Sequence, residues 1–161
     1  MAALARLVGM RLVKLGRAAD LQWFTFADAA ASELAVHVQC PWRLVSEDEI
    51  LVGHGDYWRP AATDTPETEY DRAAIGSRWR DVRRDTVVAR MGPGGAVVEG
   101  ADLDAFSGFT LRLEGGLRLE VFPDATRASH DELEFWRLFE PGGVGEHFVV
   151  SSDGIDRVAE A

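Results

Sequence analysis

Apolar and polar residues alternate most clearly over residues 33–45. There Leu34, Val36, Val38, Cys40, Trp42 and Leu44 interleave with Ala35, His37, Gln39, Pro41, Arg43 and Val45. Successive side chains of an extended segment point to opposite faces, so this period predicts a strand with the first set on a core. Pro41 lacks an N–H and marks an edge or a bulge within it. Residues 50–57 form the natural partner strand across Ser46–Glu49. Upstream, 5–15 and 20–27 read as two strands connected through Gly16-Arg17-Ala18-Ala19. The Ala, Leu and Arg content makes a helix over 3–15 the competing reading, but Gly9 and the aromatics Trp23, Phe24 and Phe26 favour strands.

The period changes over 77–91. Ile75, Trp79, Val82, Thr86 and Ala89 recur every three or four residues, while Arg80, Arg83 and Arg84 face elsewhere, which predicts an amphipathic helix. The turn-like stretch 59–76 precedes it, with helix-start chemistry at Asp64-Thr65-Pro66-Glu67, and the loop Gly92–Gly95 follows it. Phe109, Leu111 and Leu113 then mirror Leu117, Leu119 and Val121. A three-residue turn, Glu114-Gly115-Gly116, pairs Leu113 with Leu117 and keeps each face coherent. Residues 134–140 and 147–150 form a last hairpin around Pro141-Gly142-Gly143, in preference to a helix capped by Ser129 and Glu132, and the tail after Asp153 is expected to fray. These elements predict one α+β domain over residues 1–161. It is built mainly of antiparallel hairpins with one main helix around 77–91, and its strand order is open.

Composition narrows the partners. The net charge is −10, which repels nucleic acid and anionic lipid and favours a basic protein partner or plain solubility. The single cysteine, Cys40, forms no intrachain disulfide. No apolar run approaches a membrane span, and Arg6, Arg11 and Lys14 interrupt the N-terminal apolar stretch where a secretory leader would be uncharged. A cytoplasmic protein is the expectation.

Candidate chemistry comes from the hairpin register. A four-residue loop at Ser46–Glu49 sets Val45 opposite Ile50, Arg43 opposite Val52, Pro41 opposite His54 and Gln39 opposite Asp56. His37, Gln39, Arg43, His54 and Asp56 then project from one face, as a solvated surface or as an acid–base or ligand site. A one-residue slip dissolves the group. His37 and Cys40 point to opposite faces of a strand and cannot share a metal, and Cys40 reads as a small core residue. Asp102 and Asp104 read as a solvated turn, and His130-Asp131-Glu132 as polar loop or a first helical turn. Arg78, Arg80, Arg83, Arg84 and Arg90 read as an exposed stripe linked to neighbouring acids such as Asp81 and Asp85. No phosphate loop, dinucleotide fingerprint or nucleophile elbow is present, and no cofactor or metal is predicted.

The segments His37-x-Gln39-Cys40-Pro41-Trp42-Arg43, Leu117-Arg118-Leu119-Glu120-Val121-Phe122-Pro123-Asp124 and Phe135-Trp136-Arg137-Leu138-Phe139 resemble a group of small bacterial proteins of unknown function. The resemblance spans roughly residues 33–150 and implies no activity. Two functional expectations follow from the residues. The first is a non-enzymatic binding protein of the bacterial cytoplasm, with a basic partner or a second copy of itself; an immunity-type antidote to a basic toxin is its most specific form. The second is a small enzyme or ligand- or metal-binding protein that uses the His37/His54/Asp56 face.

Overall fold

The computed structural model describes residues 2–62, 74–126, 133–143 and 145–159. The readings at 64–67, at Ser129 with Glu132 and at 130–132 lie outside the described residues. A four-residue helix α1 (Ala2–Ala5) precedes β1 (Arg11–Ala18), β2 (Leu21–Ala27), β3 (Glu33–Val38), β4 (Trp42–Val45) and β5 (Ile50–Gly53). A short 3-10 turn (His54–Trp58) and helix α2 (Trp79–Met91) follow. The chain continues as β6 (Ala96–Leu103), β7 (Phe109–Leu113), β8 (Leu117–Val121), β9 (Glu134–Phe139), β10 (Glu146–Ser151) and β11 (Gly154–Ala159).

Neighbouring strands run in the order β11-β10-β9-β3-β2-β1-β6-β7-β8-β4-β5, and every pairing is antiparallel. The prediction of a mainly antiparallel sheet with one main helix therefore holds. β1 and β6 meet only at Arg11↔Val97 and Leu12↔Ala96. From that seam two sheets turn their apolar faces toward each other. Phe24 of β2 meets Trp42 of β4 edge-on at 5.1 Å, and Phe109 of β7 meets Trp136 of β9 at 4.9 Å. Edge-to-face pairs of this kind add about 0.5–1.5 kcal/mol beyond area burial. Leu12, Phe26, Val36, Leu44, Leu111 and Leu119 complete one continuous core.

The β7–β8 hairpin has the expected register, with Leu113↔Leu117, Leu111↔Leu119 and Phe109↔Val121. Gly115 and Gly116 take φ of 79° and 73°, left-handed values that glycine adopts without a Cβ clash. The β9–β10 hairpin is likewise present.

Several expectations are corrected. Residues 2–5 are helical and the first strand begins at Arg11, after Gly9 at φ 88°. The β1–β2 turn is Ala19-Asp20. Gly16 and Arg17 belong to the strand, paired with Trp23 and Gln22. The reason is packing: the Trp23 ring lies over Gly16, where a Cβ would collide with it. Residues 33–45 are two strands rather than one, since the chain leaves the first sheet after Val38 and enters the second at Trp42. The strand foreseen over 50–57 ends at Gly53, where Asp56 Oδ2 accepts from the Gly53 N–H at 3.0 Å and closes the 3-10 turn. Val45 does face Ile50, but a bulge shifts Arg43 opposite Gly53 instead of Val52. The tail beyond Asp153 is the edge strand β11, and Asp102 lies within β6.

Helix α2 lies where periodicity places it, with its faces reversed. Arg80, Asp81 and Val87 are buried, while Ile75, Val82, Thr86 and Ala89 are exposed. The inward face is polar because β1 presents a buried arginine to it.

Gly16 gives a direct check on this register. A Gly16→Ala substitution is expected to cost about 1–3 kcal/mol in urea unfolding, as forced repacking does. A neutral effect would return Gly16 to a turn.

Candidate functional site

The five residues grouped by the sequence reading do not share a face. His37 sits on the outer side of the first sheet between Trp23 and Arg137. Its ring meets Phe139 edge-on at 4.6 Å, and Phe139 stacks on His147 at 4.7 Å. Gln39 is exposed in the crossover and donates its backbone N–H to Phe135 O at 2.8 Å. Arg43 lies on the outer side of the second sheet, where Nε donates to Glu120 Oε2 at 2.6 Å and the guanidinium covers Phe122. His54 and Asp56 stay together in the 3-10 turn. The group separates because the chain changes sheets at Gln39–Pro41, so residues on either side of the crossover cannot be counted along one hairpin.

A different set comes together at the same end of the molecule. Arg17, near the end of β1, holds Asp81 in the first turn of α2 through Nε–Oδ1 at 2.8 Å and Nη2–Oδ2 at 2.9 Å. Both side chains are almost wholly buried. Arg17 Nη2 also donates to Ala74 O, and Asp81 Oδ2 accepts from the backbone N–H groups of Gly76 and Arg78. The buried Tyr57 ring lies 4.3 Å from the Arg78 guanidinium and 4.7 Å from that of Arg80. Arg80 donates to the Asp20 carbonyl at 3.1 Å and lies 5.8 Å from the Trp42 ring. Burial pushes the Asp81 carboxyl up, but the Arg17 and backbone hydrogen bonds outweigh this and hold it below its ordinary value. Burial, helped by the charge of Arg17, pulls Arg80 down to about 10.

Single elements carry the surrounding groups. His54 is held below its ordinary pKa by burial and then by Arg80, with Asp124 and Asp20 opposing. Cys40, in the crossover, is buried, and burial pushes its thiol up to about 12, so it behaves as a core side chain and not as a nucleophile. Among the described residues no group of His, Cys, Asp and Glu could hold a metal.

The exposed apolar residues Trp58, Ile75, Phe106, Phe122 and Leu133 lie on five different connections at this end. Phe106 is 82% exposed at the β6–β7 turn, beside Ser107, whose carbonyl accepts from Trp136 Nε1 at 2.7 Å. Phe122 donates its N–H to Pro41 O in the crossover. Leu133 exchanges backbone and side-chain hydrogen bonds with Ser152 after β10.

Comparison with protein-family models, curated proteins and solved structures gave no match.

The sequence reading had Arg78 and Arg80 on an exposed stripe. Its surface links hold for Arg84 with Asp85 and for Arg90 with Glu49. Arg17, Tyr57, Arg80 and Asp81 as a buried set were missed, because no hydrophobicity period signals a charged core.

Removing one partner of a buried pair strands the other. Asp81→Asn is therefore expected to cost about 3–5 kcal/mol, whereas Asp85→Asn on the same helix costs under about 1 kcal/mol. Equal losses in chemical denaturation would contradict the burial of Arg17–Asp81. His37 adds a pH dependence. Burial, then Arg137, lowers its pKa below 6.5, with Glu134 opposing and His147 reinforcing. The folded state thus binds this proton at lower pH than the unfolded chain does. Its contribution is complete above pH 6.5 and is lost as pH falls through the lowered folded value. His37→Gln is expected to lose less stability than the parent between about pH 7 and pH 5. Parallel profiles would contradict the shift.

Proposed function

We propose that this chain is a non-enzymatic binding protein of the bacterial cytoplasm that docks a basic protein partner on its loop-bearing end. The observation that carries the reading is the gathering of Trp58, Ile75, Phe106, Phe122 and Leu133, all exposed, on separate connections at one end. Apolar side chains scattered singly over a surface need no explanation, but here five of them, three aromatic, sit on connections at one end. Large aromatics are the side chains that most often dominate binding energy at protein interfaces.

Charge supplies the partner's chemistry. Asp20, Asp104, Asp124 and Asp153 are exposed on the same end, and the chain carries −10 overall. Such a field speeds encounter with a cationic surface, while the aromatic anchors hold the complex once formed. An immunity-type antidote to a basic toxin is the most specific form of this reading. A homodimer is the other form, through the edge strands β5 or β11. Among the described residues no helix is long and apolar enough to cross a membrane.

A small enzyme or ligand-binding protein is the second reading. It draws on His54, whose electrostatic neighbours are Arg80, Asp124 and Asp20. It does not draw on a common face with His37.

Affinity capture from the native host at low and high salt tests the first reading. The expected result is one stoichiometric basic partner, retained by the parent chain and lost by a Trp58→Ala/Phe106→Ala variant of unchanged Tm. Recovery of no stoichiometric partner at any salt would overturn it.

A further inference from the structure

At its β10–β11 edge the first sheet extends past the core. Val150 is fully buried, yet Ile155, its partner across the ladder and so on the same face, is 47% exposed. Phe148 and Glu146 share that face, since they precede Val150 on β10 by two and four residues. Arg157, the partner of Phe148, lies on it too. Between this face, Ala3 and Arg6 of the N-terminal segment and Glu140 after β9 lies a cavity of about 330 Å³, partly open to solvent. Glu140 and Leu133 flank β9 at its two ends, so the cavity is distinct from the surface proposed for partner docking.

The charges on the cavity wall balance, Arg6 and Arg157 against Glu140 and Glu146. They meet as two ion pairs, Arg6 with Glu140 and Arg157 with Glu146 at 3.7 Å, and each side chain is about half exposed or more. Pairs exposed to this degree hold their partners weakly, so a ligand can draw each charge to itself at little cost. We infer that this cavity binds a free α-amino acid with an apolar side chain. The arginines take its carboxylate, the glutamates its ammonium, and Phe148 its side chain. Volume and charge select this class. The cavity sits at the lower end of the range of small-molecule sites, about 300–1,000 Å³, which suits one compact molecule. A dianion would face the like charges of Glu140 and Glu146, and a dication those of the two arginines. A zwitterion engages both sets. Its carboxylate accepts two parallel N–H donations from a guanidinium, and its ammonium offers three donors to carboxylate oxygens.

The test is a titration of the ¹⁵N-labelled chain, followed at the backbone amides of Glu146, Phe148 and Arg157. The probes are L-phenylalanine and L-leucine. The controls are N-acetyl-L-phenylalanine, which lacks the ammonium, and L-phenylalaninamide, which lacks the carboxylate. The expected result is saturable movement of these signals with both amino acids. Each capped form is expected to bind at least about tenfold more weakly, as loss of a charged hydrogen-bonding group gives. Arg157→Gln is expected to narrow the preference for L-phenylalanine over its amide and to keep the preference over the N-acetyl form. Glu146→Gln is expected to do the reverse. Both side chains are exposed, so neither substitution endangers the fold. No movement with either amino acid, or movement that stays linear in concentration, would overturn the inference. Equal affinity for free and capped forms would do so too, as would preferences left unchanged in both variants. The parent titration stands even if a variant fails to fold.

Discussion

The buried Arg17–Asp81 pair fixes the relation between the sheet and the helix. It joins the last turn of the β1 ladder to the first turn of α2 through two near-parallel hydrogen bonds with almost no exposed surface. A pair of this kind adds little net stability, since desolvating both charges offsets most of their attraction. What it does impose is geometry, because either charge alone in that position is strongly unfavourable. α2 must therefore turn Asp81 inward, and its neighbour Arg80 follows. Val82, Thr86 and Ala89 are left on the outside, with Arg83 Nε reaching the Leu51 carbonyl on edge strand β5.

The crossover at Gln39–Pro41 is the second constraint. It carries the chain from one sheet to the other in three residues, so Trp42 enters the core with Phe24 on its edge and the Arg80 guanidinium over its ring. The same crossover carries Cys40, which together with His54 of the 3-10 turn feels the charge of Asp124, and receives the Phe122 N–H on Pro41 O. Strand ends, the 3-10 turn and the helix start thus converge at one end. Chemistry-bearing and apolar side chains gather there, while the outer faces of the two sheets carry paired charges such as Lys14–Glu33 on the first and Arg43–Glu120 on the second.

Much of the fold was legible because hairpins are local. The β7–β8 and β9–β10 pairings follow from alternation and turn chemistry over a dozen or so residues, and their register depends on little else. Alternation continued through Val38, Cys40 and Trp42 as well, and it could not reveal that the strand changes sheets, since both halves still bury every second residue. The candidate site failed at that point: His37 and His54 were counted along one hairpin, but they lie on either side of the change of sheet. The helix was found by its period but faced the wrong way, because a charged face reads as solvent-facing unless its buried partner, Arg17, sixty-odd residues away, is already known.

The central claim is that a charged cluster lies inside this end of the molecule. Proton exchange at the arginine Nε–H groups tests it most directly, since buried and hydrogen-bonded N–H groups exchange only on opening of the structure. The account predicts a slowly exchanging Nε–H for Arg17 and Arg80 and a fast one for Arg84 on the outer face of the same helix. Equal, solvent-like exchange at all three would mean that the cluster is open to water, and the reversed helix would fall with it.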